Sequence, residues 1–499
     1  MNAWMRVERA LDRCCPPGAN PLSHLGAIAC LMFVLLLLSG IYLYVFFDTS
    51  VDGAWASVER LSRQPPGGWL RSLHRYAADL FLLSVWLHLL REAVLGRYTR
   101  FRRLSWLTGL VLLPLAYVSG VGGFWLAWDQ LGQYTAIASA ELLDALPLFS
   151  TSLSRNFLTP EAVNDRLFSL LIFVHLGVPL LMLFALWFHL QRITRPQLLP
   201  PRMLALALLS CLGILALAAP ILSLPPADLG SVPATLPLDW WLLHWQPLAE
   251  AWGPALTWAV IGAMLLVLLL LPLRPQAPPP VALVDADNCN GCQRCVADCP
   301  YAAITLEAHP NGKLGRQIAV VAADRCASCG ICAGSCPSAT PFRSTELLVS
   351  GIDMPRQTIA ALRGQLEATL AAHTDAAIVV FGCDHGANLK HMAAPGLIPL
   401  SLLCIGQLPP AFIEYALRAG AAGVLIVGCH SGGCAFRWGE ALTAQRLSGQ
   451  REPHLRSSVP GARWQMLRAG PGEEARVSAA ALQLARLTHV NDGAGPVQV

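Results

Sequence analysis

WLRSLHRYAADLFLLSVWLHLL (69–90) and LFSLLIFVHLGVPLLMLFALWFHL (167–190) are apolar stretches with the same interruption: His74 and His88 in the first, His175 and His189 in the second, each pair 14 residues apart. Fourteen residues of α-helix turn about 1400°, about 40° short of four turns, and rise ~21 Å, so each helix presents two imidazoles on nearly one face at two depths. Two such helices side by side suit two stacked haems. Ionisable groups inside a bilayer are costly and usually functional. Four of the six histidines before residue 280 fall into these matched pairs, which argues against incidental polar residues. Glycines repeat the spacing, Gly26 with Gly40 and Gly109 with Gly123. A porphyrin edge needs a position without a side chain, and glycine supplies it at each level.

The composition places these stretches in a membrane. With 55% hydrophobic and 13% charged residues in 499, the chain is neither an ordinary soluble protein nor a single domain. Apolar segments near 24–46, 72–95, 105–127, 168–190, 203–224 and 254–272 are each long enough for ~30 Å of hydrocarbon, predicting six transmembrane helices. The N-terminal stretch 1–21 is mixed in charge and has no signal-peptide h-region, so it is expected to remain attached. Basic residues set the orientation. Arg91, Arg97, Arg100, Arg102 and Arg103 follow the second segment, and Arg192, Arg195 and Arg202 follow the fourth, whereas 129–165 holds five acidic residues against one Arg. Six crossings then return the chain to the cytoplasm near Arg274. The N-terminus and everything beyond the stiff Pro-rich linker 275–282 are expected there, in a bacterial or archaeal plasma-membrane protein.

From about residue 20 to 272 the sequence resembles cytochrome b of the quinol-oxidising bc and b6f complexes. The likeness is carried by DTSVDGAWASVERL (48–61), the two histidine helices and SGVGGFWLAWDQLGQY (119–134). It implies a four-helix dihaem domain over 1–200, with His74 and His175 on an outer haem b and His88 and His189 on an inner one. It also implies that Arg71 and Arg166 pair with haem propionates. Two further helices over 201–274 resemble the family's shorter C-terminal part, and PLDWWLLHW (237–245) between them resembles its outer quinol motif, with an inserted Leu and with Trp241 where the family has Tyr. Asp239 is then a candidate quinol proton acceptor, since a carboxylate beside a buried ring holds its proton more readily. An aromatic belt with one interfacial Asp is the plainer reading of the same residues. His24 and His244 read more simply as interface residues than as quinone contacts.

Sixteen cysteines favour a reducing compartment, because twelve lie after residue 281 in short clusters suited to metal. Cys289, Cys292, Cys295, Cys299 and Pro300 form C-x2-C-x2-C-x3-C-P, and Cys326, Cys329, Cys332, Cys336 and Pro337 repeat it 37 residues later. In two-cluster ferredoxins three closely spaced thiolates hold one cubane and the fourth crosses to the other. One [4Fe-4S] cluster would use Cys289, Cys292, Cys295 and Cys336, and the second Cys326, Cys329, Cys332 and Cys299, within a domain over 283–345. Zinc sites instead use separated CxxC pairs.

A third domain, 356–490, reads as α/β, with AAIVVFGC (376–383) and AAGVLIVGC (421–429) as buried strands and 409–420 as a helix between them. Cys383, Cys404, Cys429 and Cys434 fall at strand ends or in loops, where segments converge. FGCDHGA (381–387) and the run from Cys404 to Gly439 resemble the delta subunit of methyl-viologen-reducing hydrogenases. That likeness implies a [2Fe-2S] cluster on those four cysteines and a heterodisulfide-reductase-like flavoprotein as partner. Gly386 departs from it, since the family has a further cysteine there. Cys14, Cys15, Cys30 and Cys211 have no such context.

The expected fold is thus multidomain: an all-α six-helix membrane domain, a bacterial-type ferredoxin domain and a small α/β domain. The expected function is that of a quinone-linked oxidoreductase subunit carrying electrons between the quinone pool and the cytoplasmic flavoprotein, in a homodimer within a larger complex. No Walker loop, GxSxG, HExxH or dinucleotide loop is present, so flavin or nicotinamide chemistry belongs to another subunit, and nothing suggests nucleic acid. A membrane anchor and relay without its own quinone site is the alternative.

Overall fold

The computed structural model describes residues 2–493 except 17, 149, 158–161, 192, 232, 234, 274–279, 312–315, 344–347, 374–376, 393–395 and 431. Most of the linker expected at 275–282, and Arg274, lie outside them. The chain forms two compact units: residues 1–191 with 196–275, and 276–499 with 192–195.

The first unit is helical: α1 (Asn2–Cys14), α2 (Leu25–Phe46), α3 (Val51–Arg63), α4 (Pro65–Val94), α5 (Arg103–Ala127), α6 (Gln130–Asp144), α7 (Asp165–Leu190), α8 (Arg202–Ala218), α9 (Trp245–Trp252) and α10 (Pro254–Leu270). Start signals are local. Pro65, whose missing N–H costs nothing at a first position, opens α4, and the carboxamide of Asn164 accepts from the amides of Arg166 and Leu167 to open α7. Among the described residues four helical stretches are long and apolar enough to cross a membrane: Pro21–Phe46, Arg100–Ala127, Asp165–Leu190 and Pro254–Leu273. Two expected crossings differ. α4 runs for 30 residues but carries Arg71, Arg75, Asp79, Arg91 and Glu92. The segment expected at 203–224 ends as a helix at Ala218, after 17 residues, because Pro220 disfavours helical backbone before it. Packing pairs α2 with α4 and α5 with α7.

In the second unit, two short antiparallel pairs, β1 (Leu283–Val284) with β4 (Ile352–Asp353) and β2 (Ile304–Ala308) with β3 (Gln317–Val321), frame the one-turn helices α11 (Arg294–Asp298) and α12 (Ile331–Ser335). Beyond them β5 (Ile378–Cys383), β6 (Leu397–Leu402), β7 (Gly423–Gly428) and β8 (Trp464–Arg468) form a parallel sheet in the order β6-β5-β7-β8. It is flanked by α13 (Ile359–Ala371), α14 (Ala411–Arg418), α15 (Gly439–Leu447) and α16 (Glu474–Gly493). β5 and β7 are buried along their whole lengths, as central strands of a parallel sheet must be. The sequence reading missed β6 and β8. Pro399 inside β6 argues against a strand, and the sheet accepts it because β6 lies at the edge.

Candidate redox centres

The four histidines of α4 and α7 stand in two pairs. The rings of His74 on α4 and His175 on α7 are 6.5 Å apart, centre to centre, at 64°. His88 on α4 lies close enough to His189 on α7 to interact with it electrostatically. A metal bridged by two imidazole nitrogens at about 2 Å each sets ring centres about 6 Å apart, so the outer pair is spaced for a shared iron.

Hydrogen bonding fixes which nitrogen is available. His175 Nδ1 lies 2.9 Å from the Ser119 carbonyl, which can only accept, so the proton sits on Nδ1 and Nε2 keeps its lone pair. Ser39 donates its hydroxyl proton to Leu35 at 2.7 Å and so accepts from His74 Nδ1 at 2.9 Å. Thr108 donates to Leu104 at 2.9 Å and accepts from His189 Nδ1 at 3.2 Å. This is the partner arrangement that orients a metal-ligating imidazole. The glycines have a nearer neighbour than the expected porphyrin edge. A Cβ would lie 3.5 Å from His88 Cε1 at Gly26, 3.3 Å from His74 Cε1 at Gly40, 3.1 Å from His189 Cε1 at Gly109 and 3.2 Å from His175 Cε1 at Gly123. Each glycine makes room for an imidazole edge.

The two arginines diverge. Arg71 Nη1 donates to Ser62 Oγ at 2.6 Å and interacts electrostatically with Asp129 and Glu59. Arg166 is exposed on the first turn of α7. Asp239 is already engaged. Its Oδ1 accepts from the Trp241 and Leu242 amides, both at 2.8 Å, and Oδ2 meets Arg75, which also bonds Asp79 at 2.7 Å. The carboxylate thus already caps a turn and pairs with a guanidinium. His24 is tied through Nε2 to the Gly18 carbonyl at 2.8 Å, and His244 through Nδ1 to that of Trp241 at 3.0 Å.

In the second unit each ferredoxin thiol set lines its own cavity. Cys289, Cys292, Cys295 and Cys336 line one, and Cys299, Cys326, Cys329 and Cys332 the other. Each set takes three cysteines from one run and the fourth from the other. Four thiols lining one cavity would suit a polynuclear cluster. Burial, and then the neighbouring Cys292, Cys336 and Cys289, push the Cys295 thiol up to about 12, so the bare set resists ionisation until a metal compensates the charge.

The α/β domain gathers Cys383 at the end of β5, Cys404 after β6, Cys429 after β7 and Cys434, all buried. Cys383 and Cys434 each lie within hydrogen-bonding range of both Cys404 and Cys429. The His385 amide points at Cys383 Sγ at 3.4 Å, favouring thiolate. A Cβ at Gly439 would lie 2.1 Å from Cys404 Sγ and 3.5 Å from Cys434 Sγ, so glycine is needed there. Gly386 stands beside the group, its would-be Cβ 3.7 Å from that of Cys383. Four thiols converge without a cysteine at 386.

Three family models match separate segments: cytochrome b/b6/petB over residues 11–196, the 4Fe-4S dicluster domain over 288–340, and the methyl-viologen-reducing hydrogenase delta subunit over 376–487. The cytochrome b6 of Synechococcus sp. (strain JA-3-3Ab) is 31% identical over 173 residues, covering 34% of this chain and 80% of that protein. The cytochrome b6 of Prochlorothrix hollandica is 33% identical over 134 residues, covering 27% of this chain and 60% of its own. A solved chain of a hyperthermophilic respiratory complex III matches over 56% of this chain and 84% of that one, at 19% identity and a TM-score of 0.43. A cytochrome b segment followed by iron-sulfur modules makes this a multi-pass membrane electron-transfer protein. With four fifths of a cytochrome b6 matched above 30% identity, the chain belongs to the cytochrome b/b6 family.

Proposed function

We propose that the chain is the membrane subunit of a quinone-linked oxidoreductase. It would exchange electrons between the quinone pool and a cytoplasmic heterodisulfide-reductase-like flavoprotein through two b haems, two [4Fe-4S] clusters and one [2Fe-2S] cluster. The observation that supports this best is the coexistence in one chain of two imidazole pairs at separate levels with three four-thiol sets. His74 with His175 and His88 with His189 would hold the haems, with the Nδ1 protons of His74, His175 and His189 turned toward neighbouring helices. The ferredoxin cysteines would hold the cubanes in the crossed sets, and Cys383, Cys404, Cys429 and Cys434 the [2Fe-2S] cluster. When bound, these groups accept and pass on single electrons. In this reading α4 and α8 also cross the membrane, making six crossings with the N-terminus and the second unit cytoplasmic. Arg71 and Arg166 remain the propionate candidates, with Arg71 the better placed by its burial.

One observation favours the second reading, a membrane anchor and relay: Asp239 is capped and ion-paired, so the segment matched to a quinol motif lacks a free carboxylate. Adding a quinol analogue to the oxidised protein decides between them. Prompt haem reduction, seen in the α-band and blocked by a quinone-site inhibitor, is expected. If haems reduced from the cluster side respond to neither quinol nor quinone, the relay stands.

A further inference from the structure

One buried cation ties the α/β thiol domain to the ferredoxin domain. Arg446 on α15 is 0% exposed, and its partners belong to different domains of the second unit. Nη2 donates to Asp298 Oδ2 at 2.6 Å and to Ser335 Oγ at 2.7 Å, and Nη1 to the Gly406 carbonyl at 2.8 Å. Each partner is next to a cysteine or two residues from one. Asp298 precedes Cys299, Ser335 precedes Cys336, and Gly406 follows Cys404 by two. Asp298 is 2% exposed and also takes Arg451 Nε on Oδ1 at 2.7 Å. Two guanidiniums share one carboxylate, Arg446 fully buried and Arg451 partly exposed, which leaves a surplus positive charge, and Arg446 Nε finds no hydrogen-bond partner among the described residues.

The packing around this contact admits no spacer. A Cβ at Gly334 would lie 2.2 Å from the Gly406 carbonyl oxygen, and one at Gly406 2.8 Å from Ile331 Cγ1. The turn after Cys404 therefore presses backbone to backbone on α12. The same contact brings the thiols together: Cys329 shares a hydrophobic core with Cys383, Cys404, Cys429 and Cys434, and Cys434 is among its charged neighbours.

We propose that Arg446, anchored by Asp298, is the positioning residue that fixes the α/β thiol set against the ferredoxin set of Cys299, Cys326, Cys329 and Cys332, and that its surplus charge favours the reduced state of both. The inference rests on the cluster assignment above. One electron passes between the sets, one centre being oxidised as the other is reduced, with no bond made or broken. A buried charge without full compensation is weakly screened, so it acts on a neighbouring centre that gains negative charge.

The test uses the full-length protein in detergent, titrated with dithionite and read by EPR beside iron and sulfide analysis. Wild-type protein lacking either a [2Fe-2S] signal or two [4Fe-4S] signals overturns the cluster assignment, and the inference with it. With those signals present, Arg446→Gln is expected to keep its iron. It should make reduction of the [2Fe-2S] centre and its neighbour at least tenfold less favourable, about 60 mV for one electron, and weaken their magnetic interaction. Arg446→Lys should restore the potentials in part. Unchanged potentials and interaction in iron-replete Arg446→Gln overturn the proposal. If that variant loses its clusters, Arg451→Gln carries the measurement: a smaller shift in the same direction supports the proposal, and no shift overturns it.

Discussion

Gly109 shows what the glycine spacing does in three dimensions. The 14-residue repeat ties glycines to histidine levels, but at each level the nearest neighbour is the imidazole edge, at 3.1 Å for Gly109. Valine at Gly109 would have to displace His189 from its bond to Thr108. Gly109→Val is therefore expected to lose about half of the b-type haem, counted as pyridine haemochrome, since one of two levels is disturbed. Gly262→Val, at a site with nothing within 4 Å, should lose none. Asp239 makes the opposite point. Its sequence context suggests a proton acceptor, whereas its partner Arg75 lies 164 positions away and no local pattern announces it. Asp239→Asn keeps the cap but loses the ion pair. It is expected to lower stability by about 1–3 kcal/mol, measured by thermal unfolding in detergent, while changing quinol-driven haem reduction less than about threefold.

At the scale of elements, what the chain reveals about itself depends on how local the cause is. The histidine helices, β5 and β7 are legible because their apolar runs and boundaries lie within one stretch. β6 is hidden by Pro399, tolerable only at an edge that the sequence does not announce, and α8 is over-read because apolar residues continue past Ala218 toward Pro220. α1 is legible neither as an element nor as a contact. Glu8 accepts from Trp4 Nε1 and from buried Arg91 Nε, both at 2.7 Å, and the Asn20 carboxamide donates to the Glu8 carbonyl at 3.0 Å. The pair holds α1 to the end of α4, and Arg91 Nη2 is already without a partner among the described residues. Without Glu8, buried Arg91 keeps Glu92 at 3.6 Å but loses its shorter charged hydrogen bond, so Glu8→Ala is expected to cost roughly 1–3 kcal/mol locally. It should release α1, seen as rapid proteolysis within residues 2–14. A cleavage rate equal to that of the unaltered protein would show that α1 is held by other contacts.

At the scale of the whole chain, the two cysteine runs cross, as their C-x2-C-x2-C-x3-C-P pattern leads one to expect. Cys299 closes the first run but lines the cavity of the second, and Cys336 does the reverse. Two independent ferredoxin turns would each hold a cluster with their own four thiols. The crossed arrangement instead makes α11 and α12 depend on each other, and the chain can hold neither cluster from one run alone. The difference is measurable by iron content, because variants in one ligand set are not additive and variants in different sets are. Two cubanes, one [2Fe-2S] cluster and two haems give about twelve irons per chain. Cys336→Ser should remove about four, and adding Cys292→Ser should remove no more, since both line the first cavity. Combining Cys336→Ser with Cys329→Ser should remove about eight. If Cys336→Ser with Cys329→Ser loses only about four irons, and Cys336→Ser with Cys292→Ser about eight, the clusters are held within each run and the crossed sets are wrong.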